Sequence, residues 1–192
     1  MAQKRQEFRA ARPLIDPSRL VFLDETATTT NVTRGRCPVG QRQVDPVPFG
    51  RREVTTFVSA LRHDRLTAAM TAGGATNGES FVADVEPVLL PELRAGDVVV
   101  MDDVPAHKRS AVREVIESAG GAVVDLPAYG PDLEPIENAY GKLEALLRQA
   151  KRRTVGGLRG FLFAALDAFS PQECANHFAH CGYSATPTSK AL

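Results

Sequence analysis

Asp97-Val-Val-Val-Met-Asp-Asp103, then Ser110-Ala-Val-Arg-Glu-Val-Ile-Glu-Ser-Ala119, Gly120-Gly121 and Ala122-Val-Val-Asp-Leu126, is the stretch on which the fold turns. The first run is apolar without alternation, as a strand buried on both faces requires, and Asp102 and Asp103 end it. Ser110–Ala119 has helical periodicity, and the glycine pair stops it. A second short apolar run follows. Strand, helix and strand in this order predict two parallel strands joined by a crossover.

Upstream, Arg19-Leu-Val-Phe-Leu-Asp24 is an apolar run closed by an acid, so Asp24 is expected to end the first strand. Glu53–Arg62 is rich in β-branched residues, and His63-Asp64 forms a plausible turn into Leu66–Thr71. These three runs predict an antiparallel start to the sheet. Gly73-Gly74 and Asn77-Gly78 break the pattern, and Glu79–Leu93 then reads as a helix despite Pro87. Downstream, the turn-rich Pro127–Pro135 leads into a helix over Ile136–Lys151, with further helices over Thr154–Phe169 and Pro171–Cys181. The order is that of a ribonuclease H-like α/β fold: a mixed sheet with three antiparallel strands followed by parallel ones, flanked by helices.

A length of 192 residues suits one well-buried domain, expected over 16–184. Residues 1–15 read as a basic arm or the end of a helix, and 185–192 as a frayed tail. No run approaches eighteen apolar residues and the amino terminus has no apolar signal core, so a cytosolic protein without a membrane partner is expected. Lys plus Arg and Asp plus Glu are equal at 23 each. The basic residues nevertheless cluster in Lys4–Arg12, Arg34–Arg52, Lys108–Arg113 and Arg148–Arg153, and a neutral sum can hide a basic groove around an acidic site. Three cysteines give no disulfide framework. Cys174, His177, His180 and Cys181 invite a zinc reading, but one helix face cannot present all four; a helix with buried thiols is the plainer expectation.

Three acids carry the chemistry. Asp24 and Asp102 close strands, and Glu137 opens the helix after the last strand. Open α/β sheets place their sites beyond the carboxyl ends of parallel strands. Acids gathered there repel one another and either take up protons or bind cations; oxygen-only ligands select Mg²⁺ or Mn²⁺. Two such ions suit in-line phosphoryl transfer. The alternative is that each acid is satisfied separately by backbone N–H groups at a strand end or helix start. Pro135 suits a first helical turn, Ile136, Tyr140, Leu143 and Leu147 form an apolar stripe, and Glu137 lies at its margin.

These acids sit within longer motifs. Asp24-Glu-Thr with Thr30-Asn-Val-Thr-Arg34 and Gly40-Gln-Arg42 resembles the first acid motif of the insertion-sequence-630 family of transposases, relatives of the mariner elements. Val98-Val-Val-Met-Asp102-Asp-Val-Pro-Ala-His107-Lys108 resembles the second. Leu126-Pro-Ala-Tyr-Gly-Pro-Asp-Leu-Glu-Pro-Ile-Glu137-Asn resembles the third and is the most distinctive. The 34 residues between Asp102 and Glu137 match the family spacing. The likeness runs through Thr55-Thr-Phe-Val, Asn77-Gly78, Lys142-Leu and Cys174-Ala-Asn176, over roughly 15–184.

The resemblance implies that Asp24, Asp102 and Glu137 hold two divalent ions, Mg²⁺ or Mn²⁺, and that the domain cuts transposon ends and joins them to target DNA. His107, Lys108 and Lys142 become candidate contacts to the DNA backbone. Self-association as a dimer, and a bacterial, nucleoid-associated location, are implied with it. Asp103 departs from the Asn usual after the second acid, Glu134 from the Asn usual before the third, and Arg34–Gly40 is short and lacks an aromatic. The family's helix-turn-helix domains have no room before Asp24. A separate subunit or reading frame carrying them is therefore expected, or else a truncated, non-catalytic remnant that keeps the fold and weak DNA binding. A phosphatase of the haloacid dehalogenase type is the enzyme rival, from Phe22-Leu-Asp24 and Asp102-Asp103. It needs an acid where this sequence has Thr26, and it leaves the third motif unexplained.

Overall fold

A computed structural model of the chain describes residues 2–12, 15–31, 37–42, 44, 53–73, 78–101, 106–127 and 130–183. Asp102 and Asp103, and the tail from 184 onward, lie outside the described residues. The elements are α1 (Ala2–Ala11), β1 (Leu20–Thr29), β2 (Val54–Arg62), β3 (Leu66–Gly73), α2 (Gly78–Leu89), β4 (Val98–Met101), α3 (Ala106–Ser118), β5 (Ala122–Asp125), α4 (Pro135–Ala150), α5 (Val155–Ala164) and α6 (Pro171–His180). They form one five-stranded sheet in the order β3-β2-β1-β4-β5. β1 pairs antiparallel with β2 and β2 with β3; β1 pairs parallel with β4 and β4 with β5.

The apolar runs are continuous because the central strands are covered on both sides. Leu20, Phe22 and Val100 pack with Phe57 and Leu61 against α4, α5 and α6. Val21, Leu23, Val99 and Met101 pack with Val58 and Met70 on the opposite face, against α2 and α3. Period-two alternation thus feeds two cores from one strand.

Asp24 does not close its strand. β1 runs five residues further, because its pairing with β2 continues from Asp24↔Ser59 to Thr29↔Val54 after its pairing with β4 stops at Leu23↔Met101. The apolar run ends where the parallel neighbour ends. Beyond it β1 alternates between half-buried and exposed positions until Thr28.

The basic start takes the helical form of the two that were expected. Arg5 and Arg9 of α1 reach Asp132 at 2.7 and 2.8 Å, and Phe8 packs on the larger core. The carboxy-terminal thiols are buried: Cys174 and Cys181 are 0% and 3% exposed, and desolvation pushes both up to about 11, so both remain protonated at neutral pH. A buried pair was not anticipated. Arg62, at the end of β2, meets Asp97, at the start of β4, through bonds of 2.7 and 3.0 Å.

Candidate active site

Asp24 is half-buried and belongs to the alternating set of Leu20 and Phe22, which faces α4. Its partner across the antiparallel pair is Ser59, fully buried between Phe57 and Leu61. Tyr140 of α4 closes this corner. Its hydroxyl donates to the Asp24 carbonyl at 2.6 Å and lies 3.1 Å from Ser59 Oγ. Burial, and then the Asp24 charge, raise the Tyr140 pKa well above the ordinary phenol value, so the phenol remains a proton donor.

Glu137 stands one turn before Tyr140 on the same helix, where residues three apart are neighbours. The α4 stripe is the expected one: Ile136, Tyr140, Leu143 and Leu147 are buried, joined by Ala139, while Glu137 is exposed in the first turn. Glu134 occupies the cap position and makes no side-chain capping bond. The approach to the helix is held at several points. Pro131–Leu133 forms a 3-10 turn, Tyr183 Oη donates to the Leu133 carbonyl at 2.7 Å, and Asp132 takes both arginines of α1. Those two arginines hold the Asp132 carboxyl below its usual pKa.

The structure therefore brings the Asp24 main chain and the first turns of α4 together at the carboxyl end of β4. Met101, the last residue of that strand, is paired with Leu23, and Asp102 is the next residue in the chain. Among the described residues no cluster of three or more His, Cys, Asp or Glu is placed to hold a metal ion; Asp102 is not among them. His107 and Lys108 are the second and third residues of α3, with side chains outside the description. Lys142 is partly exposed and already paired. Its ammonium donates to the Ala168 carbonyl and to Glu173, and lies 4.6 Å from the Phe169 ring centre.

Residues 19–159 match the family described as DDE superfamily endonuclease. The chain belongs to that family. The match takes in all five strands and α4, hence Asp24, Asp102 and Glu137. Its fold is the ribonuclease H-like one of the Mos1 transposase catalytic domain. The crystal structure of the catalytic domain of Mos1 mariner transposase superposes with a TM-score of 0.63 at 15% identity, covering 94% of this chain and 85% of that one. The Mos1 strand transfer complex superposes at 0.71 with 15% identity, covering 93% and 56%. The Mos1 mariner paired end complex with Mn gives 0.69 at 14% identity, covering 94% and 57%. The chain thus spans a little over half the length of the Mos1 chains in those complexes. No curated protein matches its sequence.

In the sequence Tyr140 shows only as a member of the apolar stripe, with no sign of the role of its hydroxyl, and Ser59 does not stand out at all. The available signal was a small polar residue on the inward phase of an otherwise apolar strand, which has to find a partner when buried.

Proposed function

We propose that this chain is the catalytic domain of a cut-and-paste DNA transposase of the insertion-sequence-630 type, with Asp24, Asp102 and Glu137 as ligands of two divalent ions, Mg²⁺ or Mn²⁺. The observation that carries the reading is the bond from Tyr140 to the Asp24 carbonyl. It ties the first acid to the helix of the third, beside the strand that leads into the second. The donor set fits a hard cation: carboxylate oxygens only, with Asp24 half-buried and Glu137 exposed at its helix start. The Mn named in one Mos1 structure supports the choice of ion, and its paired ends support DNA ends held by more than one copy.

When bound, the ions supply Lewis-acid stabilisation of the nucleophile and leaving oxygens during in-line attack on a phosphodiester. The chain's own part is placement. Asp102 is the residue after Met101, whose register partner Leu23 directly precedes Asp24. His107 and Lys108 would bring positive charge near the scissile phosphate. Lys142 would reach DNA only by leaving Glu173. Hydrolysis at the transposon ends would free a 3′-hydroxyl to attack target DNA, in the cytoplasm where a bacterial nucleoid lies. Among the described residues no helix is long and apolar enough to cross a membrane.

Two measurements test this. Supercoiled plasmid is expected to be nicked with Mn²⁺ and not with chelator. DNA affinity is expected to fall steeply with salt and to differ little between transposon-end and scrambled duplex, because the contacts are to phosphates. A large preference for one end sequence at moderate salt would place end recognition inside this domain. Absence of nicking, also when end-binding domains are joined to the chain, would leave a fold without the chemistry.

A further inference from the structure

We infer that Tyr140 is a positioning residue for the metal ligands: its hydroxyl, beyond the packing of its ring, sets the direction of Asp24 relative to Glu137. This rests on the metal-site reading above. The bond acts on the main chain of Asp24, so it fixes the backbone from which the carboxylate departs. Because the phenol proton goes to that carbonyl, the Ser59 hydroxyl is left to donate to the phenol oxygen. Ser59 is also the register partner of Asp24. One phenol therefore holds both members of a cross-strand pair to a helix whose preceding turn carries Glu137.

All the participants are positioned to keep this arrangement unique. Ser59 is 0% and Tyr140 4% exposed, so water does not compete for these bonds. Asp24 itself lies past the last β1–β4 pair, with α4 above it. There the Tyr140 bond ties the Asp24 main chain to α4. Groups that hold a metal ligand from behind typically change metal affinity by about 10–100-fold when removed.

The test is Mn²⁺ binding by the whole chain, read by loss of the free-ion electron paramagnetic resonance signal, alongside the Mn²⁺ dependence of plasmid nicking. Tyr140→Phe keeps the ring in the stripe and removes the bond. It is expected to raise the Mn²⁺ dissociation constant, and the Mn²⁺ needed for half-maximal nicking, about tenfold or more. A role in folding alone would lower the active fraction and leave that half-saturation unmoved. Ser59→Ala removes only the second bond and is expected to give a smaller shift in the same direction, so the inference stays testable should Tyr140→Phe fold poorly. Unchanged Mn²⁺ affinity in a folded Tyr140→Phe protein, or in Ser59→Ala if the first does not fold, overturns the inference. Asp24→Asn and Glu137→Gln run in parallel separate the two levels. If these also bind Mn²⁺ as before, the metal-site reading fails; if they lose it while Tyr140→Phe does not, only the positioning role fails.

Discussion

Asp24→Asn, Asp102→Asn and Glu137→Gln are each expected to lower Mn²⁺-dependent nicking about a thousandfold, the rate equivalent of the several kcal/mol of charge stabilisation that a catalytic metal provides. Each change keeps side-chain size and removes one anionic ligand. Folding is expected to survive in all three. Glu137 is exposed and Asp24 half-buried, and neither near-isosteric change opens a cavity in the core. Losses should not multiply when two acids are changed together, because ligands that act as a unit fail as a unit.

Asp103 supplies the internal control. It follows Asp102 directly in the chain and, like it, lies outside the described residues. A second carboxylate beside Asp102 adds negative charge that opposes the approach of a phosphate backbone. Asp103→Asn is therefore expected to keep the melting temperature and raise nicking, in plain contrast to Asp102→Asn. Loss of nicking at unchanged melting temperature would make Asp103 the ligand and shift the second acid by one residue. The comparison is cleanest with end-binding domains joined to the chain, so that DNA affinity is not limiting.

What was legible in the sequence, and what was not, follows from the range of the forces involved. Strands buried on both faces write themselves as apolar runs, so β1, β4 and the order of elements could be read directly. Helix α4 was legible because Pro135 and a regular stripe are local signals. The end of β1 was misread because burial ended with β4 while pairing continued with β2, and composition reports burial. The register shift between Val58 and Ala60 was hidden as well. Ala68, in the facing strand, adopts φ 51°, a left-handed conformation in which glycine would have been the readable marker. The bond from Tyr140 to Asp24 spans 116 positions, and nothing local announces its partner. Arg62 and Asp97 stand in the sequence only as the end of one run and the start of another, 35 positions apart. Only the placement of β1 between β2 and β4 brings them together in the interior.

That pair should govern stability more than any other charge in the described structure. Arg62 and Asp97 have side chains only 2% and 4% exposed. Arg62 also donates to the Glu92 carbonyl at 3.1 Å, and Asp97 accepts from the Arg94 amide at 2.8 Å. Removing one partner strands the other charge in the interior. Arg62→Met is therefore expected to cost about 3–5 kcal/mol at neutral pH, a large share of the roughly 5–15 kcal/mol typical of a domain. Urea unfolding of Arg62→Met, Asp97→Asn and the double variant checks it, and the double should lie well above the sum of the singles. The pH dependence gives a second signature. Burial raises the Asp97 pKa, but the bonds from Arg62 and Arg94 outweigh it and hold the carboxyl below its ordinary 3.8. The pair's contribution is thus complete above 3.8 and is lost as pH falls through the lowered native value. In Arg62→Met the main opposing charge is gone, burial prevails, and the Asp97 pKa moves above 3.8 instead; acid then relieves the variant by neutralising its stranded carboxylate. The gap between wild type and Arg62→Met should accordingly be widest at pH 7 and narrow towards pH 4. A gap that stays constant over that range would mean that Arg62 acts through its bonds to the Glu92 and Ser18 carbonyls, with Asp97 contributing little.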